Sequence, residues 1–184
     1  MSKYTIDLSH TVVGFVARHM MFNKVRGHFD TVNATIEFDP ANPAASTLSV
    51  EVEINSVNTG NTDRDNHLRS ADFFDAATYP MMTFVSKHVQ VTGANTGIIT
   101  GDLTIKGVTK EVKLNTEFLG EAKDPWGNQK PVFNASTKIN REDWGLTWNV
   151  ALEAGGWLVS KEIEIEIETE LALVKEETLE AANA

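Results

Sequence analysis

Apolar and polar residues alternate one by one along most of this chain. The clearest run is KEIEIEIETELAL at residues 161–173, where five glutamates fall on one face of an extended strand and isoleucine, threonine or leucine on the other. This period of two is typical of β-strands with one face against a core and the other in water. Similar alternation occurs in TLSVEVEI, VNATIEF, KEVKLNTEFLG and VFNASTKI, at residues 47–54, 32–38, 110–120 and 132–139.

Turn-forming residues separate the alternating runs, for example Asp39-Pro40, Asn42-Pro43 and the DPWG at residues 124–127. The pattern predicts roughly eight strands without helical crossovers, and hence an all-β antiparallel barrel or sandwich. We expect one domain over residues 3–174, followed by a tail at residues 175–184 that is a frayed helix or disordered.

One segment breaks the alternation: TDRDNHLRSADFF at residues 62–74. Thr62 followed by Asp65 resembles a capping box with aspartate in place of glutamate, and it predicts a short helix with Leu68 pointing inward.

Composition narrows the functional classes. The net charge of −10 argues against nucleic-acid binding and against tight docking on anionic lipid. Without cysteine, the chain has no disulfide framework and no thiolate chemistry. No apolar run approaches ~18 residues, so we expect no transmembrane helix and no stable membrane insertion. The first ten residues contain no apolar signal-peptide core, which makes the cytoplasm the expected location.

The long final strand raises the question of what its apolar face contacts. Residues 162–173 would span about 40 Å at roughly 3.3 Å per residue, and a tilt of ~40° still leaves a wall near 30 Å tall. A barrel of about eight strands is wide enough to hold one small ligand. The same side chains would equally fill the interior, and periodicity alone does not separate a filled core from a cavity.

Candidate chemical groups are few. The five histidines form no His-x-His or HExxH motif, so we expect no metal site. Asp63, Arg64, Asp65 and His67 bring acid, base and cation within five residues, which suits either acid–base catalysis or helix capping with an Arg–carboxylate contact. The four tryptophans, all in the last third of the chain, are expected mainly in the core or at the barrel ends.

Several short motifs occur in an order that resembles the YceI family of polyisoprenoid-binding proteins. They are YTIDLSH at residues 4–10, Phe15 with His19, Gly27 with Phe29, SVNTG at 56–60, RDNHL at 64–68, DFF at 72–74, Tyr79-Pro80, Phe84 with Ser86, GDLTIKGVT at 101–109 and NREDWG at 140–145. The resemblance runs over about residues 3–174.

This resemblance implies an extended, lipocalin-like barrel of eight antiparallel strands with a long apolar cavity. In the family, the cavity takes an isoprenoid chain such as a quinone tail or a polyprenyl lipid. Many relatives carry a secretion signal and work in the periplasm, and relatives often pair, so a homodimer is plausible.

We therefore expect a non-enzymatic protein that carries or stores a long-chain isoprenoid lipid, with no catalytic residue and no cofactor other than that lipid. The residues expected to bind it are Phe15, His19, Phe29, Phe84, Leu103, Ile105, Leu114, Phe118, Phe133, Ile163, Ile165 and Ile167. Arg64, Asp65 and His67 are expected at the barrel mouth, where they would orient a polar head group. The alternatives are an enzyme that acts on a prenyl substrate through acid–base residues at the mouth, and a structural barrel with a filled core.

Overall fold

The computed structural model describes residues 1–174, which form eleven β-strands and one α-helix. The strands are β1 (Ser2–Ile6), β2 (Val12–His19), β3 (Asn23–Phe29), β4 (Val32–Phe38), β5 (Thr47–Glu53), β6 (Val57–Asn58), β7 (Met81–Val91), β8 (Thr96–Ile105), β9 (Val108–Lys123), β10 (Gln129–Asn140) and β11 (Glu162–Leu173). The helix, α1 (Thr62–Arg69), lies between β6 and β7 in the chain. The tail predicted at residues 175–184 lies outside the described residues.

The strands close into a single antiparallel barrel with eight positions around its wall. β1 and β2 follow one another along the same edge of β11, while β4 and β3 pair with them in the next position. β5, β7, β8, β9, β10 and β11 occupy one position each, and the pairing of β1 with β11 closes the wall. The prediction of an all-β, eight-stranded antiparallel barrel with one short helix is confirmed.

The first wall position is interrupted between β1 and β2 by a 3-10 helix, Leu8–His10. The Asp7 side chain caps this helix by accepting a hydrogen bond from the Ser9 amide at 3.0 Å. The Asp7 amide still donates to the Glu170 carbonyl at 2.8 Å, so β11 remains hydrogen-bonded to the chain at the start of the interruption.

The alternation that marks β11 in the sequence determines its two faces. Ile165 lies opposite Thr137 of β10 and Phe15 of β2, and Ile167 lies opposite Ala135 of β10. The glutamates occupy the other face, where several of them lie within ion-pair distance of lysine or arginine side chains. A one-residue shift of this register would place the glutamates in the barrel, so the alternation fixes the pairing.

The half of the barrel interior next to α1 is filled with side chains. Two clusters of buried apolar residues occupy it: Phe73, Phe84, Leu103, Ile105, Val112, Leu114, Trp144 and Leu146 in one, and Phe29, Val32, Val52, Ile54, Val57 and Ala76 in the other. The Trp144 indole is buried and its Nε1 donates to the Leu103 carbonyl at 3.0 Å, which satisfies its polar atom.

The helix begins one residue earlier than the capping-box pattern suggests. Asn61, not Thr62, is the N-cap, and its side chain accepts a hydrogen bond from the Arg64 amide at 2.9 Å. Asp65 is buried and accepts from both the amide and the hydroxyl of Thr59, so its carboxylate ties the helix to the preceding turn.

The helix ends at Arg69, and turns complete the segment to residue 78. Leu68 packs, as predicted, against both buried clusters, and Phe74 does the same. Within residues 1–174, no helix combines the length and hydropathy that crossing a bilayer requires.

The connection from β10 to β11, residues 141–161, packs against this filled end. Arg141 is buried, and its guanidinium donates to the carbonyls of Ser160 at 2.9 Å and Leu146 at 2.5 Å. It also lies 5.7 Å from the centre of the Phe73 ring. Burial lowers the pKa of Arg141 from its usual value. One side chain thus holds both ends of the connection against the filled half.

Candidate functional site

The other half of the barrel interior encloses a cavity of about 390 Å³. All eight wall positions contribute side chains to it, because each strand directs every second residue inward. For example, β4 contributes Ala34 and Ile36, and β11 contributes Ile165, Ile167 and Leu171. The volume falls within the ~300–1,000 Å³ typical of small-molecule sites in proteins.

The cavity opens at the end of the barrel farthest from α1. Two connections frame this opening: residues 39–46 between β4 and β5, and residues 92–95 between β7 and β8. Pro40, Thr47, Asn95 and Thr96 line the cavity here and are exposed to solvent. The opposite end is closed by the filled half described above, so the cavity has a floor.

Three phenylalanines meet near the opening, two from the paired strands β9 and β10 and one from β4 across the barrel. Phe38 of β4 lies with its ring centre 5.4 Å from that of Phe133 on β10, and Phe118 of β9 lies 5.1 Å from Phe133. The Phe38 and Phe133 rings are nearly perpendicular, at 89°, the edge-to-face arrangement that aromatic pairs favour. These rings form an aromatic wall between the opening and the deeper aliphatic part of the cavity.

The described residues that line the cavity include no Asp, Glu, Lys, Arg or His. Its polar groups are hydroxyls and amides: Thr11 and Thr169 share a hydrogen bond of 2.8 Å, and Asn95 and Thr96 lie at the opening. The Ser46 hydroxyl is buried and has no hydrogen-bond partner among the described residues. The cavity is therefore suited to an apolar molecule with, at most, an uncharged polar group.

The structure brings seven of the sequence-predicted ligand residues together around the cavity. They are Phe84, Leu103, Leu114, Phe118, Phe133, Ile165 and Ile167. Phe84, Leu103 and Leu114 also belong to the buried cluster, so they form part of the floor. That these residues bind a ligand stays a prediction.

The other five lie outside the cavity lining. Phe15 and Phe29 pack against each other in the filled half with ring centres 5.7 Å apart, and Ile105 belongs to the cluster around Trp144. Ile163 lies opposite Ile139 near the filled end. His19 ends β2 and forms an isolated bridge with Val159. All five face inward or toward the filled end, but period-two alternation does not give their height along the barrel.

The three polar residues expected at the mouth lie at the opposite end of the barrel from the opening. Arg64 donates to the Thr59 hydroxyl and carbonyl at 2.7 and 2.8 Å, and Asp65 accepts from Thr59 as described above. His67 lies 2.9 Å from an Asp72 carboxylate oxygen and packs edge-on against Phe73 and Trp148. All three residues belong to α1, and α1 covers the filled end. Their placement does not support a role in orienting a head group, which stays a prediction.

Sequence reasoning left several lining residues out of the candidate site. Val32, Ala34, Ile36 and Phe38 alternate in VNATIEF, so the signal for β4 was present. Ser46 and the 92–95 turn lie outside the strands, where the sequence has no alternation from which an inward-facing side chain could be predicted.

Of the described residues, Asp7, His10 and Glu170 place ligand atoms close enough together to hold a metal ion. The Lys130 ammonium, however, is hydrogen-bonded to Asp7 and lies 3.9 Å from Glu170. That hydrogen bond is the main cause that lowers the pKa of Asp7 to about 2. A cation is therefore already present in this cluster, which links the start of β10 to the wall interruption.

The model of the YceI-like domain family matches residues 4–171 of this chain. A UPF0312 protein from Pseudomonas savastanoi pv. phaseolicola is 41% identical over 145 residues, which cover 78% of this chain and 76% of that protein.

Solved structures show the same fold. BcnA from Burkholderia cenocepacia superposes with a TM-score of 0.77 at 26% identity, over 91% of this chain and 99% of that one. A domain from Saccharophagus degradans, described as polyisoprenoid binding and implicated in plant cell wall breakdown, superposes with a TM-score of 0.65. It is 17% identical and covers 95% of this chain and 100% of that chain, so it shows the shared fold alone.

Proposed function

We propose, from the premise that this chain belongs to the YceI-like domain family, that it binds a long-chain apolar lipid in its barrel and carries or stores it without chemical change. The lipid is a polyisoprenoid or a prenyl quinone. The observation that carries the proposal is the half-hollow barrel, whose cavity of about 390 Å³ has no ionisable lining side chain among the described residues.

The affinity would come from removing the hydrocarbon chain from water. At ~0.3 kcal/mol per atom, a lipid with about 40 enclosed carbons would gain roughly 12 kcal/mol, which corresponds to a dissociation constant near nanomolar, and a shorter enclosed length gains proportionately less. Affinity of this origin discriminates weakly between chains of similar length, because one methylene contributes only ~1–3 kcal/mol.

A polar head group, where the lipid has one, would lie at the opening. Ser46, Asn95 and Thr96 offer uncharged hydrogen-bonding groups there, and no cation lines the cavity within residues 1–174. Asn95 and Thr96 are exposed, so a charged head group would stay in solvent beside them, whereas a phosphate or carboxylate drawn inside would be a buried charge without a cation, which is costly. An alcohol or a quinone carbonyl fits the lining better.

The acid–base residues that would support an enzyme lie outside the cavity and already have hydrogen-bond partners. Asp65 is bound to Thr59 and His67 to Asp72. We therefore propose binding without catalysis. The expected cytoplasmic location and homodimer stay predictions from the sequence.

The test is organic extraction of the purified protein followed by mass spectrometry, together with uptake of added prenyl quinone by lipid-free protein. We expect a stoichiometric long-chain lipid in the extract, or saturable uptake with one lipid per chain. Absence of both would refute the proposal. Incubation of His67→Ala with a prenyl substrate tests the enzymatic alternative, because turnover by the wild type that this variant lacks would contradict a pure carrier.

A further inference from the structure

The turn between β2 and β3 exposes large apolar side chains at the filled end of the barrel. Met20 is 47%, Met21 54% and Phe22 80% exposed. Met20 and Met21 have φ angles of +49° and +67°, a left-handed backbone that glycine and asparagine adopt more easily. The methionines are thus placed where neither turn geometry nor core packing favours them.

A second apolar side chain from another segment extends this surface. Met21 packs on the 155–157 turn so closely that a Cβ on Gly156 would lie 2.2 Å from its Sδ. Trp157 lines the same groove as Met21 and is 48% exposed. Met20, Met21, Phe22 and Trp157 together form what we call the tip patch.

Basic side chains lie next to the tip patch. Residues 8–29 contain no aspartate or glutamate, although the chain has 26 of them, and they include two arginines and one lysine besides three histidines. The turn at residues 152–156, on which Met21 packs, adds one acidic side chain, the exposed Glu153. Arg18 and Lys24 flank the turn, are exposed and have no ion-pair partner among residues 1–174. Lys161 lies 5.8 Å from the Trp157 ring and 3.0 Å from Glu142, so it is partly neutralised.

We propose that the tip patch docks the protein on the surface of a lipid bilayer that contains anionic lipids. Exposed aromatic and methionine side chains next to basic ones match the two layers of such a surface: the apolar groups reach the boundary of the acyl chains, and the cations face the phosphates. The patch has four side chains, whereas a standard protein interface takes about 20–30 residues from each partner, so the patch alone does not amount to a stable dimer interface.

The net charge of −10 does not oppose this docking strongly. Charges beyond the ~8–10 Å Debye length of physiological salt are screened, so a bilayer at the tip responds mainly to the local cations. The argument against tight docking uses the net charge of the whole chain. That single number does not show that residues 8–29 lack acidic side chains.

Docking and lipid uptake are separable, because the tip patch and the cavity opening lie at opposite ends of the barrel. The docked protein keeps its opening free. The inference therefore goes beyond the proposed lipid binding and does not depend on which lipid the cavity holds.

The experiment is co-sedimentation of the full chain with vesicles of phosphatidylcholine, alone or mixed with phosphatidylglycerol, at physiological and at high salt. We expect binding to the mixed vesicles at physiological salt, where the net charge of the rest of the chain is screened, and little binding to phosphatidylcholine alone. Phe22→Ser, at a highly exposed site that folding tolerates, should weaken binding roughly tenfold, since it removes one inserted aromatic side chain. Lys24→Glu should also weaken it and reduce its salt dependence.

The matched control is Trp126→Ser. Trp126 is 84% exposed in the β9–β10 turn, which lies away from the tip and beside Asp124. This variant should bind vesicles as the wild type does. Equal loss in Phe22→Ser and Trp126→Ser, or no wild-type binding to mixed vesicles at physiological salt, would overturn the proposal. The proposal would also be overturned if the wild type did not bind vesicles but formed a concentration-dependent dimer that Phe22→Ser abolishes. That result would assign the patch to contact with a second copy of the chain.

Failure here is distinct from failure of the proposed function. Phe22→Ser should still take up prenyl quinone from micelles, so a protein that binds quinone but not vesicles would refute docking alone.

Discussion

The two halves of this barrel share a wall but differ in what lies inside it. In the half next to α1, the helix, the turns after it and the 141–161 connection direct Leu68, Phe73, Trp144 and Leu146 toward the barrel interior, and these side chains meet the strand residues. In the other half, inward-facing strand residues, with the 39–46 and 92–95 connections at the opening, leave about 390 Å³ between them. The alternating strands form the barrel wall. Whether a given half of the barrel has a packed core or a cavity depends on whether segments outside the wall place side chains in it.

This comparison predicts that truncating a side chain costs much more stability in the filled half than in the hollow half. Trp144→Ala removes a buried indole and its hydrogen bond to Leu103, and we expect it to lower the free energy of unfolding by about 3–5 kcal/mol. Phe133→Ala in the hollow half enlarges an existing cavity, and we expect a loss of about 1 kcal/mol in lipid-free protein, because fewer packed neighbours are lost. Urea unfolding of both variants provides the measurement. Equal losses would mean that the two halves are equally packed.

Filling the hollow half should have the converse effect, with stability retained and binding lost. Ala135→Trp places an indole in the cavity, and we expect prenyl-quinone affinity to fall about a hundredfold, equivalent to ~2.7 kcal/mol. Ser136→Trp is the control, because the next residue of β10 points outward and is exposed. Fluorescence titration of both variants tests the lining; unchanged affinity in Ala135→Trp would place the ligand elsewhere.

Asp65 tests whether the polar residues near α1 serve the fold or the ligand. Asp65→Asn keeps the shape but weakens the hydrogen bonds to Thr59, and we expect about 1–2 kcal/mol lower stability with unchanged quinone uptake. Thermal unfolding and uptake are measured on the same preparation. A variant that unfolds normally but no longer takes up quinone would contradict the structural role.

The smallest expected effect is a pH dependence of the free energy of unfolding, caused by Asp7 at the wall interruption. The Lys130 ammonium lowers the pKa of Asp7 from its ordinary 3.8 to about 2. A carboxyl with a depressed folded-state pKa contributes stability that is present above its ordinary pKa and is lost as pH falls toward 2.

The measurement for Asp7 is unfolding of wild type and Asp7→Asn across that window. The difference in stability between them should shrink as pH falls from 4 to about 2. A difference that stays constant would show that the Asp7–Lys130 pair adds no pH-dependent stability.

The sequence predicted the wall well because its signal is local. Ile165 and Glu166 must point to opposite faces of any strand, and the observed register places them so. The short helix was also predictable from the break in alternation at residues 62–74, although Asn61 rather than Thr62 caps it.

The height of each residue along the barrel is not a local property. Phe15 and Phe118 both alternate inward, yet one packs in the filled half and the other lines the cavity, since strand pairing between distant residues sets their levels. The placement of α1 at the closed end has the same origin. Family resemblance supplied the expectation of a cavity, but not its position.

The position of β11 in the chain has a consequence for the order of assembly. β11 is the last strand within residues 1–174, and it pairs with β10 on one edge and with β2 and β1 on the other. During synthesis on the ribosome, the wall stays open until residues up to about 171 have emerged, because contacts between the chain ends form late. Any molecule held in the cavity is therefore enclosed only after translation of the barrel is complete, either as β11 pairs with its neighbours or later through the opening.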